Sequence, residues 1–124
     1  MISGLERVRA DVVATGRIGE RELDIICRQL YPEGKLGREE VEFLASIRGD
    51  AQSVIPAFEE LFAEAVKLNV LEGGRISSDG ASWLRRLFLL SARIDVNTRR
   101  LLGELQREAK HVCPEFQSLY DECT

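Results

Sequence analysis

The chain holds little of what most catalytic and metal sites are made from. Its 124 residues include one histidine, His111, three cysteines and one methionine. With a single imidazole and no Ser or Cys in a recognisable nucleophile setting, a hydrolase lacks its usual base and nucleophile. No Gly-rich string has the form of a phosphate-cradling loop, so no nucleotide cofactor is expected either. Proline is scarce at 3 residues, so few positions break a helix. Val and Ile stand singly rather than in alternating runs, which argues against a strand-dominated fold. No apolar run reaches the length of a bilayer span. Neither sign of charge dominates: 17 Lys and Arg against 21 Asp and Glu leave a net charge of -4. That balance gives no general attraction to phosphate backbones or anionic lipid, so neither nucleic acid nor direct membrane insertion is expected.

Cys27, Cys113 and Cys123 are odd in number and form no Cys-x-x-Cys unit, a usage that suits reduced thiols packed in a core. Together with His111 they have a spacing unlike paired zinc knuckles. The opening "MISGLERVRADVV" carries charge by the sixth residue and lacks a signal-length apolar run, so the expected location is cytoplasmic.

Leu, Glu, Arg and Ala recur at spacings of three and four, and 44% of residues are hydrophobic. These features predict one all-α domain over residues 1–124, with about seven helices around a shared core. Its internal order is written in an echo. "TGRIGERELDIICRQL" (Thr15–Leu30) returns as "GGRISSDGASWLRRL" (Gly73–Leu87), so that Gly16, Arg17 and Ile18 match Gly74, Arg75 and Ile76 at an offset of 58. Leu36 then falls on Ile94, Phe43 on Leu101, Leu44 on Leu102 and Ile47 on Leu105. Ile18 to Leu36 and Ile76 to Ile94 are both steps of 18 residues. Each of these four anchors is followed two helical turns later by an apolar pair: Ile25 and Ile26, Phe43 and Leu44, Trp83 and Leu84, Leu101 and Leu102. An anchor packed beneath a helix start, with the pair on the buried face, explains that spacing.

Gly19, Gly37, Ser77 and Asp95 follow the anchors directly, at N-cap positions. Glu22 and Glu40 stand three residues further on, where a carboxylate reaches back to the cap's N–H. Three more helices complete the count. Leu5, Val8 and Val12 stripe the first. Phe58, Leu61, Phe62, Ala65, Val66 and Leu68 cover an arc wide enough to bury the central one, which opens near Pro56 and stops at Gly73 and Gly74. A short last helix over 114–123 follows Pro114, with Phe116, Leu119 and Tyr120 turned inward. In "RRLFLLSARI" the consecutive apolar residues Leu87 to Leu90 exceed what one helix stripe buries, and a second neighbouring helix is expected to cover them.

The succession "EGKLGREEVEFLASI", "FEELFAEAVKLNVLEGGRISSDGASWLRRL" and "ARIDVNTRRLLGELQ" resembles the TerB-like domain, the all-helical fold of tellurite-resistance proteins that also occurs in a membrane-anchored bacterial co-chaperone. The likeness spans about Gly16 to Leu105 and leaves out "CPEFQSLYDEC". It implies an interaction module in an envelope or metal stress response. It also implies divalent-metal binding by acidic residues near helix starts, which here are Glu22, Glu33 and Glu40. In the second half Gly80 and Thr98 replace Glu22 and Glu40, so a symmetric metal site is not expected. An EF-hand reading of Asp11 to Glu22 fails on ligand chemistry, because Val13 and Thr15 occupy positions where calcium requires charged oxygens.

Charge is unevenly distributed along the chain. From Glu33 to Glu72 nine acids face four bases, whereas from Arg75 to Lys110 eight bases face four acids. The expected function is therefore non-catalytic binding of another protein, or of a second copy as a homodimer. Glu39, Glu42, Glu59, Glu60 and Glu64 would form one surface and Arg85, Arg86, Arg99 and Arg100 the other. The alternative is divalent-metal binding through first-half carboxylates.

Overall fold

A computed structural model describes residues 3–30, 37–91 and 95–123. Among them are seven helices: α1 Ser3–Thr15, α2 Glu20–Leu30, α3 Arg38–Asp50, α4 Pro56–Val70, α5 Ser78–Ser91, α6 Val96–Glu108 and α7 Pro114–Cys123. The all-α expectation holds, with an addition. Four two-residue strands lie at helix junctions: β1 Arg17–Ile18, β2 Ser53–Val54, β3 Arg75–Ile76 and β4 His111–Val112. They pair in parallel, β1 with β2 and β3 with β4. Contacts divide the chain into two compact units, Met1–Ala65 and Val66–Thr124. The boundary falls inside α4.

In the first unit, α1 ends because Gly16 takes φ 73°, a left-handed conformation that glycine adopts without side-chain conflict. The turn aims the Gly16 carbonyl at a neighbouring segment. It accepts from the N–H groups of Gln52 (2.6 Å) and Ser53 (3.0 Å), and the Ile18 carbonyl accepts from Ile55 (3.1 Å). The start of α2 is thereby tied to the start of α4. Ile18 is fully buried together with Val8, Val12, Ile26, Leu44, Ile47 and Phe58. Burial of one such aliphatic side chain contributes about 1.5–3 kcal/mol.

The second unit uses the same construction with different residues. Gly74 takes φ 83°, and its carbonyl accepts from Lys110 (2.7 Å) and His111 (3.4 Å) while the Ile76 carbonyl accepts from Cys113 (3.2 Å). Every one of these bonds lies 58 positions after its counterpart in the first unit. Ile76 is buried with Val66, Val70, Trp83, Leu84, Leu102 and Leu105.

The correspondence extends past the expected limits. Pro56 and Pro114 both open helices, and Phe58 matches the equally buried Phe116. Upstream, Val8 and Val12 match Val66 and Val70, all buried. So α7, which falls outside the family likeness, stands in register with the first part of α4. The last part of α4 stands in register with α1.

Five side chains depart from expectation, and Ile25, Phe43 and Leu61 among them are half-buried. Leu68, expected inside, is 59% exposed, because it projects away from the face that carries Ala65 and Val66. Tyr120 is half-buried rather than buried. Leu87 and Phe88 are buried; the side chains of Leu89 and Leu90, and all of Leu36 and Ile94, lie outside the described residues.

Gly74→Ala is expected to destabilise the protein by about 1–2 kcal/mol, because an L-residue must then adopt φ near the left-handed region. Gly103→Ala, where the backbone is helical and a methyl would meet only the Arg107 side chain, should be neutral or stabilising. Urea denaturation of the two variants checks the contrast.

Candidate functional site

The predicted metal carboxylates are occupied by backbone. Glu22 Oε1 accepts from the Gly19 N–H at 2.7 Å, and Glu40 Oε1 accepts from the Gly37 N–H at 2.8 Å. Each closes the start of its own helix, the capping role that spacing predicts. In the second unit the cap side chains take over: Ser77 Oγ accepts from Gly80 N–H (3.1 Å) and Asp95 Oδ1 from Thr98 N–H (3.0 Å). Glu33 lies outside the described residues. Among the described residues, no three His, Cys, Asp or Glu side chains gather at metal-binding distance. An open hollow of about 300 Å³ borders the first helix start, lined by Thr15, Arg17, Gly19, Glu20, Arg21 and Glu22. Its lining is already engaged locally: Thr15 Oγ1 donates to the Asp11 carbonyl at 2.8 Å and accepts from the Arg17 N–H at 3.3 Å.

His111 is exposed on β4. The Cys113 sulfur accepts from the Phe116 N–H at 3.4 Å, at the start of α7. Cys123 is buried at the end of that helix, where desolvation pushes its thiol up from the ordinary value. Cys27 is half-buried on α2.

The polar contacts that cross between helices were not foreseen, and two sets of them recur at the 58-residue offset. In the first unit Arg9 donates to Ser46 Oγ (3.0 Å) and pairs with Asp50 (3.4 Å). In the second, Lys67 occupies the Arg9 position and pairs with Glu104 (2.5 Å) and Glu108 (2.9 Å). Burial pulls the Lys67 pKa down, but its bonds to the two carboxylates outweigh this and raise it. Glu104 is held below the usual carboxylate value chiefly by its bond to Lys67.

Deeper in the first unit, Arg48 is 1% exposed and grips Glu59 with both ends of its guanidinium, at 2.6 and 3.0 Å. The guanidinium carbon also lies 5.5 Å from the centre of the Phe62 ring. At the matching positions of the second unit stand two amides: Gln106 Nε2 donates to Gln117 Oε1 at 3.3 Å. Gln106 Oε1 is buried with no partner among the described residues. Glu59 must therefore leave the predicted acidic surface, since its side chain is only 13% exposed and bound to Arg48. A charge count cannot show this, because the pair sits 11 residues apart on two helices. The signal that could have found it is the matched substitution of Arg and Glu by Gln and Gln.

The other predicted surface residues sort as follows. Glu39, Glu60 and Glu64 are exposed, and Glu42 is half-buried and engaged within the chain. Arg86 and Arg100 are exposed and make no salt bridge among the described residues. Arg85 is exposed but pairs with Glu122 at 2.7 Å, which lowers the Glu122 pKa. Arg99 Nε donates to the Cys123 carbonyl at 3.3 Å, where a cation complements the end of α7. Of these predicted residues, those without a salt bridge among the described residues are acidic on the first unit and basic on the second, while Arg7, Arg17 and Arg21 are exposed beside the former and Glu72 and Asp121 beside the latter.

No family model, no curated protein and no solved structure matches the chain.

Two outcomes follow from these contacts. Arg48→Gln alone should cost about 3–5 kcal/mol, because Glu59 is left charged and unpaired in a confined site. The double variant Arg48→Gln/Glu59→Gln copies the second unit's amide pair and should recover most of that loss. A urea-denaturation double-mutant cycle reads the coupling. The pH dependence has a defined sign. Unfolded, Glu104 titrates near its ordinary value of 4.5, and folded it titrates lower. Stability from this group is therefore present above the unfolded value and lost as pH falls through the folded one. Lys67→Met should remove that shift and flatten the dependence of unfolding free energy on pH below about 4.5, measured between about pH 3 and 6.

Proposed function

We propose that the chain is a non-catalytic interaction module of TerB-like type, working in the cytoplasm by presenting charged helix faces to another protein. The proposal includes the view that its two units are copies of one 58-residue ancestor joined through α4. Matching helix junctions and parallel strand pairs support that kinship. The observation that carries the functional reading is the separation of exposed charge. Glu39, Glu60 and Glu64 belong to the first unit, and Arg86 and Arg100 to the second, and no salt bridge among the described residues neutralises any of the five. Such faces attract a complementary partner at a distance and reject wrong ones, at little cost to the fold. A partner in an envelope or metal stress response is what the resemblance would imply.

In-cell crosslinking followed by mass spectrometry tests the reading. Wild-type protein should yield a crosslinked partner that drops at least about tenfold with Arg86→Glu/Arg100→Glu, a loss equal to about 1.4 kcal/mol. Thermal midpoints should stay unchanged, because both side chains are exposed. A partner insensitive to these reversals, or none at all, overturns the reading. Stoichiometric heat on calorimetric titration with calcium, magnesium, manganese or zinc would favour instead the metal-binding alternative through Glu22, Glu33 and Glu40.

A further inference from the structure

The exposed face of α6 has an unusual composition for a helix that only needs to be wetted. Val96, Arg99, Arg100 and Arg107 are exposed, with Gly103 half-buried among them. Spacings of three and four place these residues on one stripe. Val96 is 63% exposed. Gly103 is the informative member. A methyl built on it would meet only the Arg107 guanidinium, at 3.6 Å, the movable end of a flexible side chain. Nothing among the described residues requires glycine there, and alanine would favour the helix by about 1 kcal/mol. The same position in α3 is Ala45. A glycine floor between arginines leaves the α6 backbone open to close approach by another helix.

The chain carries a helix face of the complementary kind. On the first unit's part of α4, Ala57, Glu60 and Glu64 are exposed on one stripe. Glu60 and Glu64 are four apart and repel each other, and no salt bridge among the described residues relieves that repulsion. On α6, Glu104 stands between Arg100 and Arg107 and attracts both, but its carboxylate is bonded to Lys67. We infer that the α6 face of one copy docks on the α4 face of a second copy. The helices run antiparallel, Glu64 meets Arg100 and Glu60 meets Arg107, with Gly103 between the two pairs. The separations agree: at 1.5 Å per residue the acids lie about 6 Å apart along α4 and the two arginines about 10 Å apart along α6. Side chains of this length span the difference. Every copy has both faces, so the contact either closes as a two-fold pair or continues head to tail. This inference rests on the charged faces being interaction surfaces and names their occupant.

Sedimentation velocity tests it on the full chain, from about 1 to 300 µM at about 20 and 500 mM salt, where screening lengths differ several-fold. Wild type should sediment faster as concentration rises in low salt and revert to monomer in high salt. Arg100→Glu/Arg107→Glu and Glu60→Lys/Glu64→Lys should each be monomeric at every concentration, and their equimolar mixture should associate again. Gly103→Leu should weaken association at least about tenfold, equal to about 1.4 kcal/mol, with a thermal midpoint that is not lowered. A wild type that stays monomeric, reversals that associate as wild type does, or a mixture that does not recover would each overturn the inference. If wild type is monomeric while a foreign crosslinked partner still depends on Arg100, self-docking fails and the interaction-module reading stands. If both signals are absent, both fail.

Discussion

The fold depends on two carbonyl oxygens that a left-handed glycine aims sideways. Gly16 ends α1, and Gly74 closes the turn that follows α4; each presents an acceptor to the N–H groups of a segment more than thirty residues away. The isoleucine two residues on is then fixed inward, and the next helix starts over it. A helix start normally leaves several N–H groups without partners. Here each start is completed locally, by Glu22 and Glu40 in the first unit and by Ser77 and Asp95 in the second. Without the glycine turn, the strand pair loses its acceptor and the isoleucine its direction, so all later packing in the unit is referred to this one geometry.

The two units show what that geometry demands and what it tolerates. Backbone bonds recur position for position, whereas the side chains that brace them vary in matched sets. A guanidinium bridging to Ser46 and Asp50 in one unit corresponds to an ammonium bridging to Glu104 and Glu108 in the other. A buried Arg–Glu pair corresponds to two amides. The substitution works only in pairs, because a lone charge in either site would be desolvated without compensation. The charged version has every contact of the guanidinium fork available. The amide version leaves Gln106 Oε1 without a partner among the described residues, and Gln117 turns its own Nε2 outward to Asp121.

Some of this was legible in residue order. Gly-Arg-Ile occurs twice with little change, so the anchors, caps and apolar pairs of α2, α3, α5 and α6 follow from spacing. The partner strands were not legible. Gln52–Pro56 and Lys110–Pro114 share only the valine and the proline, since what they supply is backbone N–H, which almost any residue provides. The likeness of α7 to the first part of α4 rests on Pro-x-Phe-x-x-Leu followed by an aromatic residue, a string common enough in helices to pass unread. Arg48 and Glu59 were counted as solvated charge, because composition does not register which of two charges faces inward.

The removal of Glu59 from the surface sharpens the functional question. Once the internal pairs are set aside, the first unit presents Glu39, Glu60 and Glu64 beside the exposed cations Arg7, Arg17 and Arg21, and the second presents Arg86, Arg100 and Arg107 beside the exposed acids Glu72 and Asp121. Glu60 and Glu64 repel each other along α4, and Gly103 weakens α6 where its own unit leaves room for a methyl. A surface selected only for solubility would interleave the two signs along each helix and gain a few tenths of a kcal/mol per pair. Glu60 and Glu64 give up that gain within their unit, and it returns when a face of opposite sign is brought against them. The binding reading follows from that difference.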